Sequence, residues 1–282
     1  MYPGITLVKD LNSMLKLKRL IIPFSCYIVS LALFSELQLW NIAPVLYIVP
    51  LYGGIAVIND IQDIEIDRKT NPDRPLPSGR INHVQAYLIA SSLLLTVFAY
   101  SVFISRVFSV ALFLLFPLSH LILGLLYSGY VSRNIFASMI LLGFSHGLLL
   151  YLIGIYIFGS LTSISVAVGV AMYLLPALGY VIKDFKDYEG DRGIRKTLIT
   201  VFGPERAKLI TQLFFAILVF PVFLVYVLGG SETFLAAALL FWLGLMILAF
   251  SLERSEKPED YELILDIFRW VMSAFILSFG LA

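Results

Sequence analysis

The chain has 282 residues, 60% of them hydrophobic and only 14% charged, with a net charge of +1. A soluble domain carries about 25% charged residues, so an ordinary soluble globule is excluded, and no basic arm interleaved with aromatics suggests a nucleic-acid binder. The single cysteine, Cys26, excludes a disulfide framework and a cysteine metal site.

Apolar runs near 20 residues, long enough to cross a hydrocarbon core of about 30 Å, recur along the chain. They predict nine spans at about 17–36, 41–61, 83–104, 107–127, 135–157, 162–184, 205–228, 232–252 and 262–281. The first residues, through Lys9 and Lys16–Arg19, lead directly into the first span and read as an anchored helix start, not a cleaved signal peptide. Arg106 lies in an odd loop and Arg269 within the ninth span; every other Lys and Arg falls in the N-terminal tail or an even loop. Basic loops stay cytoplasmic. The expected topology therefore places the N-terminus inside the cell membrane and the C-terminus outside.

After the second span comes Asn59-Asp60-Ile61-Gln62-Asp63-Ile64-Glu65-Ile66-Asp67-Arg68. After the sixth comes Asp184-Phe185-Lys186-Asp187-Tyr188-Glu189-Gly190-Asp191-Arg192. Both clusters carry Asp at i, i+3 and i+7, a spacing that puts carboxylates on one face of a helix. The two sets are offset by 124 residues and lie an even number of spans apart. The expectation is a single all-α polytopic domain: a parallel four-helix repeat, with halves at about 17–133 and 134–254, plus a final helix at about 262–281. A pseudo-symmetric bundle would turn both clusters toward a central cavity, with both motifs cytoplasmic.

Unit charges about 4 Å apart repel by roughly 4 kcal/mol at an effective dielectric near 20, so two facing carboxylate sets require cations. Mg²⁺ is commonly held by one or two carboxylates and shared with substrate phosphates. The loop Asn71-Pro72-Asp73-Arg74-Pro75-Leu76-Pro77-Ser78-Gly79-Arg80 is stiffened by three prolines. It can hold Arg74 and Arg80 near the carboxylates to grip phosphate oxygens. The residues thus point to a Mg²⁺-dependent enzyme acting on a phosphorylated, lipidic substrate. A secondary transporter is the competing class, but its sites usually lie at mid-membrane on broken helices, often in inverted repeats.

Asn59-Asp60-x-x-Asp63-x-x-x-Asp67 followed by Arg74-Pro75-Leu76-Pro77-Ser78-Gly79-Arg80 resembles the first signature of UbiA-type intramembrane prenyltransferases. Lys183-Asp184-x-x-Asp187-x-Glu189-Gly190-Asp191, with Lys196-Thr197-Leu198 and Gly203 beyond, resembles the second. The resemblance implies nine helices and transfer of an isoprenyl chain from its diphosphate to an acceptor inside the bilayer. It implies that Asp60, Asp63, Asp67, Asp184, Asp187 and Asp191 bind Mg²⁺ and drive catalysis, while Asn59, Arg74, Arg80 and Lys183 meet the diphosphate. The Lys183-Asp184 and Glu189-Gly190-Asp191 variant is most similar to the archaeal branch that adds geranylgeranyl to geranylgeranylglyceryl phosphate. Chlorophyll-type members and those acting on aromatic quinone precursors share parts of the pattern.

The loop Tyr127-Ser128-Gly129-Tyr130-Val131-Ser132-Arg133-Asn134 departs from the family, with Ser132 standing where a Lys is expected. Tyr127, Arg133 and His146 are taken as acceptor-pocket candidates. For His120 and His146, inside spans, a helix–helix hydrogen bond is the plainer role. Asp266 and Arg269, three residues apart, suggest a mutual ion pair. The basic-loop pattern makes a direct prediction. In a Cys26→Ser background, cysteines placed at Arg80 and Lys196 should react only from the cytoplasmic side and one at Ser160 only from outside; labelling of positions 80 and 160 from one side would reject nine spans.

Overall fold

The computed structural model describes residues 10–11, 13–35, 38–129, 134–193, 195–255 and 257–282. Among these every regular element is helical, apart from an isolated bridge between Asn134 and Lys196. Eight helices among the described residues are long and apolar enough to span a bilayer: α1 Ser13–Phe34, α2 Leu39–Gln62, α3 His83–Val107, α5 Ile135–Phe158, α6 Ser163–Lys186, α7 Pro204–Val227, α8 Glu232–Arg254 and α9 Glu259–Leu281. A shorter apolar helix, α4 Ala111–Tyr127, stands between α3 and α5. The expected nine helices and their order hold, and the chain is an all-α, multi-pass membrane protein. The fourth begins a turn later than predicted because the chain reverses at Ser109, whose φ is +55°, with the Val110 amide donating to the Ser105 carbonyl at 2.9 Å.

The chain divides into two compact units. One holds the described residues up to Leu20 together with Ala43–Ser128; the other holds Ile21–Ile42 and Gly129–Ala282. The division falls inside α1. In the first unit α2 packs along α3, and small residues let helices meet closely: a Cβ at Gly124 would lie 2.4 Å from Ile55 Cδ1. Met14, Val57, Ile64, Leu76, Ile81, Ala86 and Ala90 form one buried apolar cluster. It joins the N-terminal segment, the end of α2, the proline loop and the start of α3. Asn82 caps α3 in a capping box with Gln85, so the loop has a defined end.

In the second unit α6 is the core helix, with most of its apolar stretch buried, whereas α3 of the first unit is mostly exposed and presents Leu88, Leu95 and Phe98 outward. Apolar side chains facing out are what a lipid solvent allows. α6 touches α5, α7 and α9, and the Ile21–Phe34 part of α1 packs on α5 and α9. Where α5 crosses α6 its residues Phe144–Leu148 widen into a π-helical turn, a feature often found at functional sites. Gly143 and Gly147 bring this turn onto α6; a Cβ at Gly147 would lie 1.7 Å from the Met172 carbonyl oxygen. Backbone cannot yield as a side chain does. Gly147→Ala should therefore lose about 1–3 kcal/mol to overpacking, seen as a lower unfolding midpoint in detergent. Gly169→Ala, whose Cβ would meet only ordinary contacts at 3.5 Å and beyond, should keep or raise it; equal losses at both sites would reject the close crossing.

Candidate active site

Each aspartate cluster is built by the same local device, in a different unit. α2 ends at Asp63, with φ −88° and ψ 5°, and a second helical segment, Ile64–Thr70, begins there. In the second unit Ile182–Lys186 ends at Asp187, with φ −90° and ψ 3°, and Tyr188–Asp191 follows. The middle aspartate of each set is thus a bend between two segments, which corrects the single unbroken helix that the spacing suggested. One-turn contacts nevertheless survive across the bend. Asp63 N–H donates to the Asn59 carbonyl and Asp67 N–H to the Asp63 carbonyl; Asp187 N–H donates to Lys183 and Asp191 N–H to Asp187.

The side chains repeat the pattern. The residue four before the bend reaches the middle carboxylate in both units: Asn59 Nδ2 donates to Asp63 Oδ2 at 2.8 Å, and Lys183 Nζ stands 3.2 Å from Asp187 Oδ2. An arginine beyond the bend meets the third carboxylate. Arg74 Nη1 donates to both oxygens of buried Asp67 at 2.8 and 2.7 Å, and Arg195 Nε lies 3.6 Å from Asp191. The first aspartates differ. Asp60 is buried and pairs with Lys16, whereas Asp184 lies 3.5 Å from the Leu198 amide, at the start of the helix Leu198–Phe202. Buried carboxylates in a weakly polarisable surround need such partners, because an unpaired charge there costs several kcal/mol.

The loop between clusters and helices is ordered as the prolines predict. Arg74 N–H donates to Asn71, Ser78 N–H to Arg74 and Ile81 N–H to Pro75, and Leu76 is buried. Gly79 takes φ +76°, a left-handed conformation that glycine adopts at little cost. Gly193 and Gly203 in the second unit do the same at φ +80°.

Asn59, Arg74 and Lys183 thus touch the aspartates of their own cluster. Arg80 does not: its Nε and Nη2 hold Asp10 at 3.0–3.2 Å and its Nη2 also donates to the Asp73 carbonyl. The hydrogen bond to Asp10 raises the Arg80 pKa above its usual value, and a guanidinium is charged in any case. Asp10 and Lys16 went unnoticed in the sequence because they lie 70 and 44 residues from their partners, in a tail that reads as ordinary positive-inside flanking. Tyr127 lies half-buried near the end of α4, and Arg133 falls outside the described residues. His146 sits in the π-helical turn of α5, with Nδ1 2.9 Å from Ser145 Oγ and its ring edge-on to Tyr180 at 5.1 Å. His120 meets Tyr47 OH at 2.8 Å, the helix–helix bond expected of it, and Asp266 pairs with Arg269.

Among the described residues no three His, Cys, Asp or Glu side chains converge to cage a metal ion unaided. The donor set nevertheless suits Mg²⁺: carboxylate and amide oxygens, hard ligands that hold this ion jointly with substrate phosphates. Each carboxylate set is already matched to cations, so a positively charged occupant fits its chemistry.

Known proteins carry the same architecture. Over 259 residues the chain is 28% identical to a digeranylgeranylglyceryl phosphate synthase of Methanococcus maripaludis, covering 88% of this chain and 87% of the relative. It is 27% identical to a digeranylgeranylglyceryl phosphate synthase of Sulfurisphaera tokodaii, over 79% of this chain and 82% of that one. A UbiA homologue from Archaeoglobus fulgidus, solved bound to GPP and Mg²⁺, superposes with a TM-score of 0.73 at 22% identity, covering 96% of this chain and 98% of the other. The pattern that defines the UbiA prenyltransferase family matches residues 20–272, nearly the whole length, and the chain is a prenyltransferase belonging to that family.

Proposed function

We propose that this prenyltransferase moves a geranylgeranyl chain from its diphosphate to geranylgeranylglyceryl phosphate, with Mg²⁺ as cofactor. The observation that carries the reading is the twofold recurrence of one device: a helix bent at its middle aspartate, with carboxylates paired to cations on either side of the bend. The acceptor and the length of the chain follow the relatives' names, which agree across two archaeal genera, and a neighbour solved with GPP supports an isoprenyl diphosphate as the donor class.

In this reading Asp60, Asp63, Asp67, Asp184, Asp187 and Asp191 hold the metal and serve a single transfer. Mg²⁺, when bound, neutralises charge that develops on the departing diphosphate. Arg74 and Lys183, already beside the aspartates, turn their N–H groups to phosphate oxygens, and Asn59 keeps Asp63 oriented. Arg80 joins them by exchanging Asp10 for phosphate. Apolar helices keep water from the allylic carbon once the C–O bond has opened. Tyr127, Arg133 and His146 are the residues assigned to acceptor choice. The orientation that follows from the basic loops places both clusters at the cytoplasmic face, where a water-soluble diphosphate headgroup is reachable while the isoprenoid tail stays in lipid.

The decisive assay incubates purified protein with geranylgeranyl diphosphate, Mg²⁺ and a panel of acceptors, identifying the product by mass. A product formed on an aromatic acid but not on the glyceryl ether phosphate would overturn the acceptor assignment. Chelation of divalent metal should abolish transfer and added Mg²⁺ restore it. Asp63→Ala and Asp187→Ala should each slow transfer by about 100-fold or more while the chain still folds; normal turnover by either variant would refute the shared role of the two clusters.

The division between donor and acceptor contacts is open to a separate measurement. A shared leaving group gives a uniform penalty, whereas discrimination is a difference between acceptors. Arg74→Ala should depress transfer to a phosphorylated glyceryl ether and to an aromatic acid alike, by about 1.5–3 kcal/mol for a charge-assisted contact. Substitutions at Tyr127, Arg133 or His146 should instead change the ranking of the two. The opposite pattern would show that the division is drawn in the wrong place.

A further inference from the structure

The N-terminal segment is fastened to the first cluster at three points, all within one compact unit. Met14, 1% exposed, packs into the apolar cluster with Val57, Ile64 and Leu76. Asp10 is gripped by Arg80 from the proline loop. Two residues beyond Met14, Lys16 extends its ammonium to the buried Asp60 carboxylate. The backbone at Lys16 has φ +51°, a left-handed conformation uncommon for a residue with a side chain. It separates the helical Ser13–Leu15 from the tight turn Leu17–Leu20. Leu15 next to it presses on α2 at Gly53, where a Cβ would come within 2.6 Å of Leu15 Cδ2. The surroundings therefore hold Lys16 in place on both sides, and they do so outside either aspartate motif.

We propose that Lys16 is a built-in counter-ion for Asp60, a positioning residue that gives up the carboxylate to a divalent cation only when a diphosphate is present to receive its ammonium. This rests on the diphosphate-transfer reading above and adds to it an ordered use of charge. An ammonium and a divalent ion on one carboxylate repel each other, and the repulsion is stronger in a surround less polar than water. A bare cation must therefore expel Lys16, leaving a positive group largely buried with no anion. A diphosphate removes that obstacle. Its oxygens accept the three N–H donors of the ammonium, so metal and diphosphate each favour the other's binding by the same factor. Arg74 on Asp67 stands in the same relation to its own carboxylate, but it lies within the first signature and its partner exchange is part of the diphosphate reading. Lys16 is the addition.

The test measures Mn²⁺ binding to the full-length protein in detergent by electron paramagnetic resonance, with and without geranylgeranyl thiodiphosphate, a non-transferring donor analogue. In the unaltered protein Mn²⁺ alone should bind weakly, and the analogue should tighten it by about tenfold or more. Lys16→Met should bind Mn²⁺ alone about tenfold more tightly than the unaltered protein, and the analogue should then add little. Lys16→Arg keeps the charge and should behave like the unaltered protein. Mn²⁺ affinity unchanged or weakened in Lys16→Met, or raised equally in Lys16→Arg, would overturn the proposal. If Lys16→Met is unstable without ligand, its unfolding midpoint should rise with Mn²⁺ alone, and a midpoint that does not respond counts against it. An unaltered protein whose Mn²⁺ binding ignores the analogue would instead overturn the diphosphate reading itself, and this inference with it.

Discussion

A carboxylate at the end of a membrane helix cannot be left alone. Where it is buried, the energy of an unpaired charge is far larger than that of any single packing contact. The local structure around the two clusters follows from this requirement. Asp60, Asp67 and Asp191 are buried, and each is answered by a basic side chain drawn from somewhere else: the N-terminal segment, the proline loop, or the next turn of chain. The rigid loop from Asn71 to Ile81 is what makes one of these answers repeatable, since its internal hydrogen bonds and buried Leu76 place Arg74 at a fixed distance from Asp67.

The bend at Asp63 and its counterpart at Asp187 add a second consequence of the same chemistry. Their backbone angles agree within a few degrees, and the two segments share, besides the aspartates, Glu65 with Glu189 and Arg68 with Arg192. A residue near φ −90°, ψ 0° lies in the sparsely used bridge between helix and strand, a region where active-site residues recur. The bend loosens the helix at the residue whose carboxylate is held by the side chain four positions earlier, while neighbouring carboxylates stay about one turn apart. It redirects a helix end without unwinding it.

Most of the architecture was legible in the sequence, for physical reasons that can be named. Helix length is set by bilayer thickness, so the apolar runs located the spans to within a few residues, and the late start of α4 is traced to one backbone reversal at Ser109. The prolines and Gly79 announced a stiff loop, and the loop is one. The spacing of the aspartates indicated a shared face but could not reveal the bend, because three residues of separation reads the same in a continuous helix and across a single turn between two. The roles of Lys16 and Asp10 were hidden for a different reason. Their partners lie far along the chain, and a lysine near a membrane helix is what topology alone would place there. Arg80 illustrates the converse: its motif was recognisable, but which carboxylate it holds depended on a tail residue with no motif at all.

The packing of α1 has a consequence for how the protein is made. Its Ile21–Phe34 portion lies against α5 and α9, and Ala32 sits where a side chain at Gly280 would collide. The ribosome makes α1 well before either partner, so this helix must wait in the bilayer, its small-residue surface covered by lipid, while α2, α3 and α4 emerge and close on one another through local contacts. Only when α9 has entered the membrane does α1 gain its full set of neighbours. A chain stopped short of α9 would thus hold a nearly finished first unit beside an orphaned first helix, a recognisable target for the machinery that removes unassembled membrane segments.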